Sequence, residues 1–523
     1  LGPVVDQARQ VVLDGSALRP ADVVAVARSG AAVRLDDAAR QRVGVSRRGL
    51  LDAMASGEPI YGVNTGFGSL ATQRIADESL RDLQRNLIRS HAAGAGAALP
   101  EYVVRAMLVI LGGSLVRARS GVRAEVVDAI VALLNTGVTP IVPEIGSVGA
   151  SGDLAPLAHV ALVLIGEGHA RQGGRVVSGE QALAAARIKP IVLQAKEGLA
   201  LINGTHLMAG RMALLHSDWE RIESAAILAT ALSIDACRAT DSFLDDRVYI
   251  ARNQPGAVRA AERLRDMLAG SQIIPSHRVN DPRVQDPYSF RCAPIVLGSV
   301  LETLDGVWAA LERELGAVTD NPLVFPSRGE AADPAAGVEV ISAGNFHGMP
   351  IALPMDVLAI CLAHVAGIAE RRVYHMLSAL EPGTGLSPFL SHHPGLESGL
   401  MVAQYTAAAC CNELAMLATP ASVRNIPTSA GMEDYNSFGP AAAAKAARAM
   451  DLTRTVVAIE LLCGVEALDR HRPLRSGPAV ERVRETIRGV VPPYRGDRPP
   501  SPDIAAIEGL IRNGAFENRA GGE

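Results

Sequence analysis

Tyr61, His91, Ser151, Asn203, Gln285, Tyr288, Arg291, Phe346 and Glu433 are scattered along the chain, and each alone is an ordinary core or surface residue. Together they supply a base, a guanidinium fork suited to a carboxylate, and amide and hydroxyl donors, which are the parts a site for an amino acid needs. Ser151 has the least usual setting, in "GSVGASGD" at 146–153, just ahead of the apolar run "LAPLAHVALVL". A nucleophile elbow needs a glycine two places to either side of its serine, and Gly149 is matched by Asp153. A phosphate-cradling loop ends in Gly-Lys-Ser/Thr, and no lysine lies in this stretch. From these residues alone, two readings stay open. One is a tight turn capping a helix, with Ser151 or Asp153 as N-cap and Pro156 in the first turn; the other is a chemistry of serine that needs small neighbours.

Other chemistries fit less well. The lysines Lys189, Lys196 and Lys445 have no phosphate-cradling context of the kind a pyridoxal phosphate enzyme needs. "NTGFGSLA" at 64–71 lacks the spacing, the preceding strand and the acidic partner of a dinucleotide loop. His392-His393 and the His364/His375 pair do not make an i, i+4 arrangement with a carboxylate, so no metal is expected.

These residues need elements to hold them. Hydrophobic residues make up 48% of the 523 but aromatics only 3%, so the interior must be filled with Ala, Leu, Val and Ile, as in closely packed helices. The fold class expected is all-α, with an N-terminal mixed but mostly helical region and a central bundle of long antiparallel helices. The first 200 or so residues read as loops and short helices, with strands near Val176 and Ile191. Long helical patterns follow at 206–239, 294–316, 350–378, 398–418 and 440–469. The last opens at Gly439-Pro440 and would span roughly 45 Å at a rise of about 1.5 Å per residue. The domains expected are 1–205 and 206–523. The loop 419–440, carrying Glu433, Asp434, Tyr435 and Asn436, sits between two of these helices. It is either a solvated connection or, given its length without regular structure, a functional segment.

A net charge of −5 gives no basic footprint for nucleic acid or an anionic membrane, so the partner expected is a small molecule. Six cysteines without CxxC spacing suit a reducing cytoplasm. The N-terminus has no signal-peptide pattern. The apolar stretch 350–370 is broken by Pro354, Asp356 and His364, and reads as a buried helix.

In chain order, "YGVNTGFG" (61–68), "NLIRSHAAG" (86–94), "GSVGASGDLAPLAH" (146–159), "KEGLALINGT" (196–205), "VQDPYSFRCAP" (284–294), "AVTDNPLVF" (317–325), "GNFHG" (344–348) and "IPTSAGMED" (426–434) resemble the histidine ammonia-lyase branch of the aromatic amino-acid lyase and aminomutase family. The resemblance runs from about Tyr61 to about Asp469. It implies that Ala150, Ser151 and Gly152 cyclise by themselves to 4-methylideneimidazole-5-one (MIO), with no metal and no pyridoxal phosphate. In that chemistry the Gly152 nitrogen attacks the Ala150 carbonyl, an approach that small side chains permit; that carbonyl oxygen leaves as one water and the Ser151 hydroxyl as a second.

The resemblance also implies roles for the other residues. Tyr61 is the base for the β-proton, although a phenol ordinarily titrates near about 10 and needs help to act near neutrality. Arg291 holds the substrate carboxylate, and Asn203, Gln285 and Tyr288 line the amine and the cofactor. Phe346 packs beside the ring, and Asn321 in "AVTDNPLVF" joins the substrate-binding set. His91 and Glu433 address an imidazole, since a carboxylate accepts its N–H. The implied reaction is L-histidine to trans-urocanate and ammonia, in a homotetramer whose sites combine several chains. The alternatives are a tyrosine or phenylalanine ammonia-lyase, an aromatic 2,3-aminomutase, or a helical scaffold that has lost the chemistry. Ser90-His91 also occurs in tyrosine aminomutases of the family. Histidine lyases usually read Asn-Gln-Glu-Asp-His, or a close relative, where this chain has Gly431-Met432-Glu433-Asp434-Tyr435, so Met432 and Tyr435 are expected to reshape the pocket or the shell behind it, and His206 adds a polar group nearby.

Overall fold

The computed structural model describes residues 10–68, 72–327, 337–381 and 383–517. Its chain forms two compact units, Leu1–Ser217 with Trp308–Met355 and Pro420–Ala444, and Asp218–Val307 with Asp356–Thr419 and Lys445–Glu523.

The fold is helical, and the small side chains anticipated from composition are what let its helices close up. In the first unit, helices Glu101–Leu115 and Ala124–Thr136 bury almost continuous Val, Leu, Ile and Ala. Glycines stand where a neighbour comes closest: a Cβ on Gly113 would lie 2.9 Å from Leu18. Helix ends follow local chemistry. Asp36 accepts the Ala38 and Ala39 N–H groups to start Asp37–Ala55, and Gly137 in a left-handed conformation ends Ala124–Thr136.

Among the described residues the strands form four small sheets. They are the parallel pair Gln10–Leu13 with Ala32–Leu35, the antiparallel pairs Ala95–Ala98 with Pro143–Ile145 and Leu323–Pro326 with Val338–Ile341, and the three strands Thr139–Pro140, His169–Gln172 and Arg175–Ser178. The strand anticipated at Val176 is present. The one at Ile191 is not: Ile191 follows Pro190, which has no N–H for a ladder, and its own N–H goes to the Leu164 carbonyl at 2.9 Å.

The long helices are His206–Ala236, Ala293–Leu315, Met349–Ser378, Met401–Leu417 and Gly439–Asp469, within three residues of the expected bounds. Met349–Ser378 is long and apolar enough to cross a membrane by length and composition, and more than half of its most apolar stretch is buried inside the protein. Within the second unit, Arg372 and Glu460 form a buried ion pair at 2.5 Å, and Ser233 donates to the same carboxylate at 2.7 Å.

Candidate active site

A cavity of about 470 Å³ opens in the first unit, and Tyr61, His91, Ser151, Asn203, Asn321, Phe346 and Glu433 all line it. These residues are scattered over more than 370 positions of sequence and come from seven separate segments.

Tyr61 sits in the tight turn 60–64, closed by the Val63 and Asn64 N–H groups on the Ile60 carbonyl and by Asn64 Oδ1 accepting the Ile60 N–H at 2.6 Å. Gly62 has φ +65, and a Cβ there would lie 2.3 Å from Leu199, so only glycine turns the chain here. The Gly68 N–H donates to Tyr61 Oη at 3.3 Å, a dipole aimed at the atom that would take a proton.

His91 ends the helix Leu80–His91, whose Leu83 and Leu87 line the same cavity at the i, i+4, i+8 spacing of one helical face. His91 Nδ1 lies 2.8 Å from the Leu87 carbonyl. A carbonyl only accepts, so Nδ1 carries the hydrogen and Nε2 is left as the lone-pair nitrogen. Burial holds the ring below the ordinary imidazole range, against the opposing pulls of the Leu87 carbonyl and Glu433.

Glu433 lies in the loop 420–438, which is tied down by hydrogen bonds to its backbone although most of its residues are exposed. The Asn425 and Asn436 side chains bond the loop backbone across its width, with Asn436 and Ser437 completely buried. The Phe438 N–H and the Ser437 hydroxyl then hold the Val148 and Gly149 carbonyls at 2.8 and 2.9 Å. Thr428 and Glu433 pair as an antiparallel bridge. Thr428 Oγ1 donates to Glu433 Oε2 at 2.7 Å, and Ser151 Oγ donates to Oε1 at 3.2 Å. Thr428 and the wall residues Leu83, Leu87 and Leu199 were not singled out from sequence. Helical spacing from His91 and from Asn203 points to the leucines, whereas the Thr428 pairing has no local signal.

Met432 and Tyr435 stand outside the cavity lining. Both are more than 60% exposed; Tyr435 instead stacks on His347 with ring centroids 6.4 Å apart. His206 also lies outside the lining. It is buried behind Gly204, with neither ring nitrogen hydrogen-bonded among the described residues, and burial pushes its pKa down to about 3.

The segment 147–153 is held at about half of its backbone groups. Carbonyls of Val148, Gly149, Ser151 and Gly152 accept from Phe438, Gly348, Gly204 and Ser147 respectively, and the Asp153 N–H donates to Gly204 at 2.7 Å. Among the described residues, the Ala150 carbonyl and the Gly152 N–H have no hydrogen-bond partner. Gly152 has φ +74, and a Cβ there would lie 2.1 Å from the Gly204 oxygen.

The capping turn needs correction. Asp153 is the N-cap residue of Leu154–Leu164 by position, but its side chain makes no bond to that helix. It caps His206–Ala236 instead, Oδ2 accepting the Leu207 and Met208 N–H groups at 2.8 and 3.2 Å. Complete burial pushes its carboxyl up to about 7, opposed by those two donors. Ser151 caps nothing; its hydroxyl faces Glu433.

Asn203 and Asn321 are set by a buried scaffold. Lys196 and Asp320 pair at 2.6 Å with both side chains almost wholly buried, and Asn203 Nδ2 donates to the Asn321 carbonyl at 3.1 Å. This leaves Asn203 Oδ1 without a partner among the described residues. Asn321 is fixed through its own amide, which accepts the Ala343 N–H at 2.7 Å.

Gln285, Tyr288 and Arg291 belong to the second unit and are not in the cavity lining. Gln285 and Tyr288 are exposed, and the Arg291 guanidinium lies 4.5 Å from the Tyr288 ring.

The family model for aromatic amino acid lyases matches residues 18–489. A histidine ammonia-lyase of Sorangium cellulosum (strain So ce56) is 46% identical over 511 residues, covering 97% of this chain and 98% of the relative. The crystal structure of histidine ammonia-lyase from Trypanosoma cruzi superposes with a TM-score of 0.87 at 36% identity, covering 97% of this chain and 94% of that one. A tyrosine aminomutase from Streptomyces globisporus superposes with a TM-score of 0.89 at 33% identity, covering 97% of both chains.

Proposed function

This chain belongs to the aromatic amino acid lyase family, and from that premise we propose that it is an ammonia-lyase converting L-histidine to trans-urocanate and ammonia. The observation that carries the substrate is the meeting of Ser151 and Glu433, 3.2 Å apart in one cavity with His91. A carboxylate beside the reacting serine accepts an imidazole N–H, and a phenyl ring has nothing to offer it. His91 lines the same cavity.

Ala150, Ser151 and Gly152 fit the cofactor that the family uses. The two groups that must join, the Gly152 nitrogen and the Ala150 carbonyl, are both without a hydrogen-bond partner among the described residues, so neither has to be released before they meet. Gly152 and the nearly buried Ala150 leave no side chain in the way of closure. Once formed, MIO supplies an electrophile that makes the substrate amine a better leaving group, which none of the twenty side chains does.

The remaining work falls to ordinary side chains. Tyr61 Oη takes the β-proton, with the Gly68 N–H stabilising charge that develops on the oxygen. Asn203 Oδ1, buried and free, accepts from the substrate amine. Asn321 and Phe346 complete the wall. Gln285, Tyr288 and Arg291 act from a neighbouring copy in a homotetramer, Arg291 binding the carboxylate as a fork. Six free cysteines suit a cytoplasmic enzyme.

Incubating the purified protein separately with histidine, tyrosine and phenylalanine, and scanning ultraviolet absorbance, tests the substrate. Urocanate from histidine supports the proposal. Cinnamate or coumarate without histidine turnover overturns it, as does a β-amino acid product.

A further inference from the structure

A second cavity, of about 480 Å³, lies in the first unit and shares no lining residue with the one above. Its walls come from helix Asp37–Ala55, the turn after Glu101–Leu115, and the hairpin that pairs Leu323–Pro326 with Val338–Ile341. Val45, Val324, Phe325 and Val338 make it largely apolar, and among the described residues no acidic residue lines it. The volume falls within the range that small-molecule sites occupy.

Three arginines line this cavity, and they are not equivalent. Arg42 donates to the Asp14 carbonyl, and Arg117 is committed to the carbonyls of Ser16, Leu315 and Ala317 at 2.7–3.0 Å. The Arg119 guanidinium lies over the Phe325 ring at 5.1 Å and has no hydrogen bond or ion pair among the described residues, while its backbone carbonyl accepts the Val324 N–H at 2.8 Å. Its guanidinium therefore stands on an aromatic face with its donors free.

Ser46 is the second, independent observation. It is only 8% exposed, and its Oγ has no hydrogen-bond partner among the described residues. A buried hydroxyl without a partner is costly, and this one lines the same cavity as the free guanidinium.

We propose that this cavity binds an amphipathic monocarboxylate. The carboxylate is held by the Arg119 fork with the Ser46 hydroxyl donating, and the hydrocarbon body lies against Val45, Val324, Phe325 and Val338. A single free guanidinium above apolar walls matches one carboxylate with a hydrocarbon tail better than a fully hydrated phosphate.

Isothermal titration of the full-length protein with octanoate, octan-1-ol and inorganic phosphate tests this. Octanoate should bind once per chain with a Kd of about 1 mM or tighter, and the other two should bind at least tenfold more weakly. Arg119→Gln should weaken octanoate about tenfold, as expected for loss of a charge-assisted fork. Ser46→Ala should weaken it by a smaller factor, and Tyr61→Phe should leave it unchanged. Histidine turnover by the Arg119→Gln and Ser46→Ala proteins reports that they have folded. Octanol binding as tightly as octanoate, phosphate binding as tightly, or octanoate binding that ignores both variants overturns the proposal, as does the lack of saturable binding.

Discussion

Replacing Glu433 by glutamine keeps the shape of the side chain and removes its charge. In the structure one carboxylate oxygen is held by Thr428 Oγ1 at 2.7 Å, and the other lies 3.2 Å from Ser151 Oγ, where substrate must come. A hydrogen bond to a charged group contributes about 1.5–3 kcal/mol and is roughly twice as strong as a neutral one. Glutamine still accepts through its Oε1, so the substitution should remove about half of that interaction, or about 0.75–1.5 kcal/mol. At about 1.4 kcal/mol per tenfold, kcat/KM for histidine should fall about three- to twelvefold. Phenylalanine offers no N–H to this position, so its kcat/KM should hold or rise, and the ratio between the two substrates is the diagnostic quantity. Thr428→Val provides the control on geometry. Glu433 is half-buried, so releasing one oxygen to solvent should cost histidine turnover only about two- to fivefold, at roughly 0.5–1 kcal/mol. Thr428→Ser should restore the parent value. In the Glu433→Gln background the Thr428→Val change should add little, because the charged partner it orients has gone. The assay is the initial rate of ultraviolet absorbance change with each amino acid. Equal losses for histidine and phenylalanine, or full additivity of the two changes, would refute the reasoning.

Other perturbations reach the scaffold behind the site. Lys196→Met leaves Asp320 as an unpaired buried charge and should cost about 3–5 kcal/mol of stability, read as a lower denaturant midpoint; an unchanged midpoint would contradict the pairing. His206, held near pKa 3 by burial, stays neutral in the folded chain while the unfolded chain takes a proton below about 6.5. Its contribution to stability is therefore complete above about 6.5 and falls as pH drops, by about 2 kcal/mol between pH 6.5 and pH 5. His206→Leu should flatten that acid dependence, and an identical slope in denaturant titrations at the two pH values would argue against it.

Much of this molecule was readable before its fold was known. The five long helices declared themselves because their apolar period persists over many turns. The same arithmetic applied from His91 reaches Leu83 and Leu87, which the sequence reading did not single out. The loop 420–438 hid its role, since its anchors Asn425, Asn436 and Ser437 reach distant backbone and form no pattern of their own. Asp153 was misread for a related reason: its position is that of a cap, but the helix it caps begins more than fifty residues later. Met432 and Tyr435 looked like pocket residues because they flank Glu433, and in the Thr428–Glu433 bridge both are left facing solvent. That Gln285, Tyr288 and Arg291 stand outside the cavity lining was likewise illegible, because spacing along a chain does not say which residues line one cavity.

The electrophile itself is open to a direct measurement, the intact mass of the purified chain beside that of Ser151→Ala. Cyclisation of Ala150, Ser151 and Gly152 releases two waters, so the parent should weigh two waters less than its sequence and turn over histidine, while the Ser151→Ala protein, with no hydroxyl to lose, should not do so efficiently. A parent chain of unmodified mass that still turns over histidine would contradict the assignment.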